Sequence, residues 1–199
     1  MFKSPFNNNR TSDSNGKSKL GLVKEEPVRL CSIPSAYVYL DALCSLAEGL
    51  NYMRLGSVSS EQFIEPVDKY IFTHNGTKFC EIFIYSYHET NAYIIPDPFK
   101  ELNPNADDEV FRLDENGRRR YLNEVVELIL IKNNIIEDIF ERFSLTVLNN
   151  LMSELGYGEE LEELILDEFK KFVSTSPGMD ADDFIQPFVE EFHNKKLGK

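Results

Sequence analysis

Residues 69–88, KYIFTHNGTKFCEIFIYSYH, decide the fold class. Asn75 and Gly76 tolerate the positive φ values that a type I′ turn needs, and apolar, β-branched and aromatic residues flank them on both sides. The stretch therefore predicts a β-hairpin. With Asn75 and Gly76 as the two loop residues, Phe72 is expected opposite Phe79, and Tyr70 opposite Glu81. Along the second strand Phe79, Phe83, Tyr85 and Tyr87 share one face, while Cys80, Ile82, Ile84 and His88 share the other. Both faces are apolar, which predicts an interior strand covered on both sides.

Working outward, residues 23–30 read as a short extended stretch, and Pro34 stands near the start of a helix over 36–50. Asp41, Ser45 and Glu48 form one narrow polar stripe on that helix, so most of its surface is expected to be buried. Downstream, residues 91–95 predict a third strand ended by Pro96-Asp97-Pro98. A second hairpin is expected from 109–114 and 118–122 around Glu115-Asn116-Gly117, with Glu115 facing Arg118 and Asp114 facing Arg119. From residue 123 the period becomes helical. Helices are predicted over 124–143 (with a buried strand over 125–131 as the alternative), 145–155 closed by Gly156, 159–173, and 180–193 interrupted or started by Pro187.

These elements predict an α+β fold: an antiparallel sheet of two hairpins packed with a buried N-terminal helix and a C-terminal helical cluster. Residues 21–199 are expected to form a single domain, β-rich over 21–122 and helical over 123–199. Residues 1–20 are rich in Asn, Ser, Lys and Gly without periodicity, and read as a flexible basic arm.

Charge is laid out unevenly. Residues 1–20 carry four basic side chains against one acidic, residues 121–199 carry seven against seventeen, and the net charge is −13. An acidic body repels phosphate backbones, so direct nucleic-acid binding by it is not expected. No apolar run approaches the roughly 20 residues of a membrane-spanning helix, and the N-terminus has no signal-peptide stretch, so the expectation is a cytoplasmic protein without a membrane partner. Cys31, Cys44 and Cys80 are an odd set without close spacing, as reduced core thiols would be.

The search for chemistry finds little. Cys80 and His88 share a strand face but lie about 26 Å apart along an extended strand, too far for a thiol–imidazole pair. Asp180, Asp182 and Glu191 fall at positions of a calcium loop, yet Phe184 and Ile185 stand where an oxygen ligand and a glycine are required. No glycine-rich phosphate loop exists. No catalytic residue, cofactor or metal site is therefore expected. The residues that read as partner contacts are Phe2, Lys3, Phe6, Arg10, Lys17 and Lys19 in the arm, the basic cluster Arg118, Arg119 and Arg120, and the stripe Phe184, Phe188 and Phe192. For the stripe, packing on the chain's own core is the competing explanation, and for the arginines pairing with Asp114 and Glu115 is.

The sequence thus reads as a non-enzymatic interaction protein, a structural or assembly component that meets other protein subunits, in part through the arm. A basic arm, acidic helices and missing active-site chemistry resemble, in composition alone, the general design of phage and viral virion and assembly proteins; a virion or host-cytoplasm location would go with that. The alternative is an acidic inhibitor that imitates nucleic acid and blocks a DNA-binding protein. A third is an enzyme using carboxylates from separate elements.

Overall fold

The computed structural model describes residues 18–138, 143–175 and 181–197. The chain divides into two compact units: Tyr39–Arg112 with the residues up to Cys31, and Ser32–Val38 with Leu113–Lys199. Helices and a four-stranded sheet make the fold α+β.

In the first unit the strands β1 (Val28–Arg29), β2 (Leu50–Val58), β3 (Val67–His74) and β4 (Thr77–Tyr85) lie in the order β1-β4-β3-β2. The Asn75-Gly76 turn forms as its chemistry demands, with φ of 51° and 78°. The register beyond it differs from the expected one. Thr73 pairs with Lys78 but Phe72 pairs with Cys80 and Tyr70 with Ile82, because Phe79 is an extra, bulged residue. One inserted residue exchanges the faces of everything that follows. Tyr70 and Phe72 consequently share the buried face with Ile82 and Ile84, while Phe83 and Tyr85 stand on the opposite, partly exposed face.

The sheet is also mixed rather than purely antiparallel, since β1 runs parallel to β4, pairing Val28 with Ile84 and Arg29 with Tyr85. The second antiparallel connection is made upstream, by β2 with β3, and not by residues 109–122. Residues 91–95 form no strand; Ala92 N–H donates one bond to the Arg29 carbonyl (2.8 Å) before Pro96 and Pro98 start the short helix α2 (Asp97–Leu102). Phe99 on α2 meets Phe72 edge-on at 4.9 Å and Phe79 at 5.3 Å, closing the buried side of the hairpin. Burying such a ring contributes about 1.5–3 kcal/mol. Gly49, at φ 79°, lies so close to Asn75 that a Cβ there would collide with its Oδ1. Asn75 N–H also donates to the Gly49 carbonyl (3.0 Å), so the approach to β2 supports the far end of the turn.

The helix α1 spans Ile33–Cys44, six residues shorter at its end than the sequence period suggests, because Leu50 onward is drawn into β2. Its Tyr39–Cys44 portion belongs to the first unit, where Tyr39 stacks on Phe111 at 5.3 Å and Phe111 stacks on Tyr93 at 5.2 Å.

The second unit holds the Ile33–Val38 turns of α1 and the helices α3 (Glu115–Lys132), α4 (Leu145–Glu154), α5 (Glu160–Thr175) and α6 (Ala181–Phe192), the last followed by a π-helical turn, His193–Leu197. The expected second hairpin is overturned here: Asn116-Gly117 lies in the first turn of α3. Gly117 N–H donates to the Asp114 carboxylate (2.7 Å), an N-cap that satisfies one of the helix's free donors. Gly117 is buried, with side-chain carbons of Leu113 and Val38 only 3.1 and 3.2 Å from where a Cβ would sit, so its lack of a side chain permits this close packing. Tyr121, Leu122, Val125, Val126, Leu128, Ile129 and Leu130 then form the buried face of one helix. The predicted cross-strand pairs disappear with the hairpin, and Glu115 pairs instead with Arg119 one turn on (3.5 Å).

The helix α6 runs through Pro187 instead of stopping or starting there. An interior proline costs about 3 kcal/mol, but Phe184, Phe188 and Phe192 are all buried on one face, which outweighs it. Phe188 meets Phe169 edge-on at 5.2 Å and Phe172 at 5.7 Å, and Phe184 meets Phe172 at 5.8 Å. Gly156, at φ 82°, ends α4 as its sequence position predicts.

Candidate functional site: an amphipathic groove beside the arginine cluster

The three arginines follow directly from the capped start of α3. Because Asp114 fixes the first turn, residues 118–120 project on its exposed side within two turns of the cap, each in a different direction. Arg118 donates to the Leu155 carbonyl at the end of α4 (3.3 Å) and so serves the second unit's own packing. Arg119 keeps its ion pair with Glu115, and Arg120 lies over the ring of Tyr37 on α1, 5.2 Å from its centroid. A guanidinium against an aromatic face contributes about 0.5–1 kcal/mol at an exposed site, which holds Arg120 at one wall.

Between α1, α3 and α6, Arg119 and Arg120 border a groove of about 590 Å³. Ile33, Pro34, Tyr37 and Val189 give it an apolar floor, and Arg119, Arg120, Asn116, Asn123, Gln186 and Glu190 give it a polar rim of two guanidinium groups, three amides and one carboxylate. Ile33 is unusually exposed for a large aliphatic residue. The lining has no thiol and no imidazole. It sets an apolar surface beside two guanidinium groups and the Glu190 carboxylate.

A second, smaller cleft of about 230 Å³ lies between α5 and α6, floored by Phe172, Phe188 and Phe192. Two ion pairs, Lys171 with Glu168 (2.9 Å) and Lys195 with Glu191, run along its sides. The bond that Lys171 donates to the Glu168 carboxylate favours its charged form and raises its pKa.

Of the arm residues, Phe2, Lys3, Phe6, Arg10 and Lys17 lie outside the described residues. Lys19 is exposed, its carbonyl accepting from Leu22 N–H (2.9 Å) in a tight turn. Phe184, Phe188 and Phe192 are nearly fully buried, the first two against Phe169 and Phe172 of α5, and Phe188 and Phe192 border accessible space at the floor of the cleft between α5 and α6. The groove-lining Tyr37, Val189 and Ile33 were not visible as site residues in the sequence; their shared signal is only that each is apolar and stands near the edge of a buried helical face.

The thiols are poor nucleophiles as placed. Burial, and then the nearby Glu81 carboxylate, pushes the Cys80 thiol up to about 12; burial, and then Asp41, pushes Cys44 up to about 11. His88 turns its Nδ1 toward the Thr90 carbonyl (3.0 Å). Among the described residues no group of three or more His, Cys, Asp or Glu side chains could share a metal ion, and no helix is long and apolar enough to cross a membrane.

No family model matches the chain, and neither a curated protein nor a solved structure does.

Proposed function

We propose that this chain is a non-enzymatic protein–protein interaction component of a larger cytoplasmic assembly, and that its second unit takes an acidic, apolar-anchored segment of a partner protein into the groove between α1, α3 and α6. The single observation that carries the reading is the groove itself: an apolar floor with Arg119 and Arg120 at its rim, on a chain that is otherwise strongly acidic. Opposite charge steers such a segment in, and burial of its anchor on Ile33, Pro34 and Val189 supplies affinity. Imitation of nucleic acid is the second reading. Its support is the exposed carboxylate row Glu160, Glu163 and Asp167 on α5, a row that gives way to Lys170 and Lys171 within one further turn.

A peptide array combining Asp or Glu with Leu or Phe tests the first reading. Peptides carrying both an acidic and an apolar residue are expected to bind, to shift amide resonances at Tyr37, Arg120 and Val189, and to lose at least about tenfold in affinity in Arg119→Glu/Arg120→Glu. Binding that ignores the double charge reversal, or no binding by any such peptide, would refute it.

A further inference from the structure

The first unit carries a different surface, independent of the groove. In the order β1-β4-β3-β2 the strand β2 is the last, and no strand pairs along its outer side among the described residues. Natural edge strands are blunted by lysine, proline, bulges or a short length. Over Leu50–Val58 there is no lysine or proline, and the one bulge, at Leu55, leaves the Leu50–Arg54 arm regular. The only charge, Arg54, folds back to Asp68 (2.7 Å) and Ser57 (2.8 Å) of its own hairpin. Met53 and Leu55 stand 61% and 46% exposed on this strand, the former on the sheet's outer face opposite Ile71.

We propose that β2 pairs antiparallel with β2 of a second copy of this chain, with Met53 on the two-fold axis. A two-fold axis perpendicular to the sheet pairs residues that point to the same face, so the axis must pass through a residue. With the axis at Arg54, two like charges face each other. At Tyr52, Arg54 faces Leu50 and Met53 faces Asn51. At Met53, the two exposed methionines cover one another on the outer face, Leu55 lies by Asn51, and Arg54 lies opposite Tyr52. That last contact puts a cation against an aromatic ring whose hydroxyl is bonded to the Asp41 carboxylate (2.9 Å), so charge and ring are complementary across the pair. The strand matches itself in this register and in neither neighbour. Pairing converts the four-stranded sheet into a continuous eight-stranded one.

The experiment is a measurement of molar mass by sedimentation equilibrium across the micromolar range, on the full chain and its variants. The parent is expected to dimerise with concentration, and Met53→Lys, which sets two ammonium groups face to face, to weaken the dimer at least about tenfold while its far-UV circular dichroism, and its melting curve at a concentration where both proteins are monomeric, stay those of the parent. Opposed residues in an antiparallel pair have Cα atoms about 4.5–5.5 Å apart, within the about 4.4–6.8 Å a disulfide spans. Met53→Cys under mild oxidation is thus expected to give a chain-to-chain link at position 53, and Ile64→Cys, which is more exposed but off the strand, is expected to give none. A chain that stays monomeric, whatever other segment pairs with its edge, overturns the proposal. So does a dimer that tolerates Met53→Lys or whose Met53→Cys variant forms no link between chains.

Discussion

Truncating Phe188 to alanine isolates the packing that holds α6. The side chain is 2% exposed, and its ring meets Phe169 at 5.2 Å, Phe192 at 5.5 Å and Phe172 at 5.7 Å. Loss of a buried Phe ring costs about 3–5 kcal/mol once the cavity is included. The edge-on geometry of the Phe169 and Phe172 contacts, each worth about 0.5–1.5 kcal/mol beyond area, places this site toward the upper end. Against a typical domain stability of about 5–15 kcal/mol that is a third or more. In a unit of about 100 residues it lowers the thermal midpoint by at least about 12 °C. Urea unfolding of the full chain followed by far-UV circular dichroism reads the change, with Phe143→Ala, at a ring 37% exposed, as the control of equal chemistry. The control is expected to shift stability by less than about 1 kcal/mol. A Phe188→Ala protein as stable as that control would refute the packing assigned to α6 and return the Phe stripe to the partner surfaces.

Because burial and neighbouring carboxylates push the Cys80 thiol up to about 12 and the Cys44 thiol up to about 11, alkylation of the native protein should be slow at neutral pH and accelerate only in strong alkali; mass spectrometry showing rapid labelling of either site at neutral pH would contradict this. Asp114→Ala should cost about 1 kcal/mol by leaving the first turn of α3 uncapped, measurable as a lower urea midpoint, and Asp114→Asn should restore most of it. Tyr85 is raised to about 12, first by burial and then by its bond to Glu65 (2.5 Å), so the folded state favours the protonated phenol. Its contribution is fully present below the unfolded value of about 10 and is lost as pH rises through about 12. Tyr85→Phe should therefore flatten the alkaline fall in stability, and identical pH profiles for the two proteins would count against the assignment.

Asn-Gly occurs twice in this chain, and the two outcomes separate what local chemistry determines from what it leaves open. At Asn75-Gly76 the dipeptide lies between two strands that can pair at once, so the turn was legible from the sequence, together with the Gly156 helix stop and the Phe period of α6. At Asn116-Gly117 the same dipeptide sits just past a carboxylate that can cap a helix, with an apolar face beyond it that another element must cover. Whether such residues become turn or helix depends on what is there to bury them, and Val38, far away in the chain, is part of that answer. The same holds for the extra residue at Phe79, the parallel pairing of β1 and the strand β2, each of which needs a partner strand before it has a conformation of lower free energy than the alternatives. The arginine cluster was visible as charge, but a groove is a relation among surfaces. Residues 33–37, 116–123 and 186–190 carry no common sequence signal, and only the packing of α1, α3 and α6 in the second unit brings an apolar floor beneath Arg119 and Arg120.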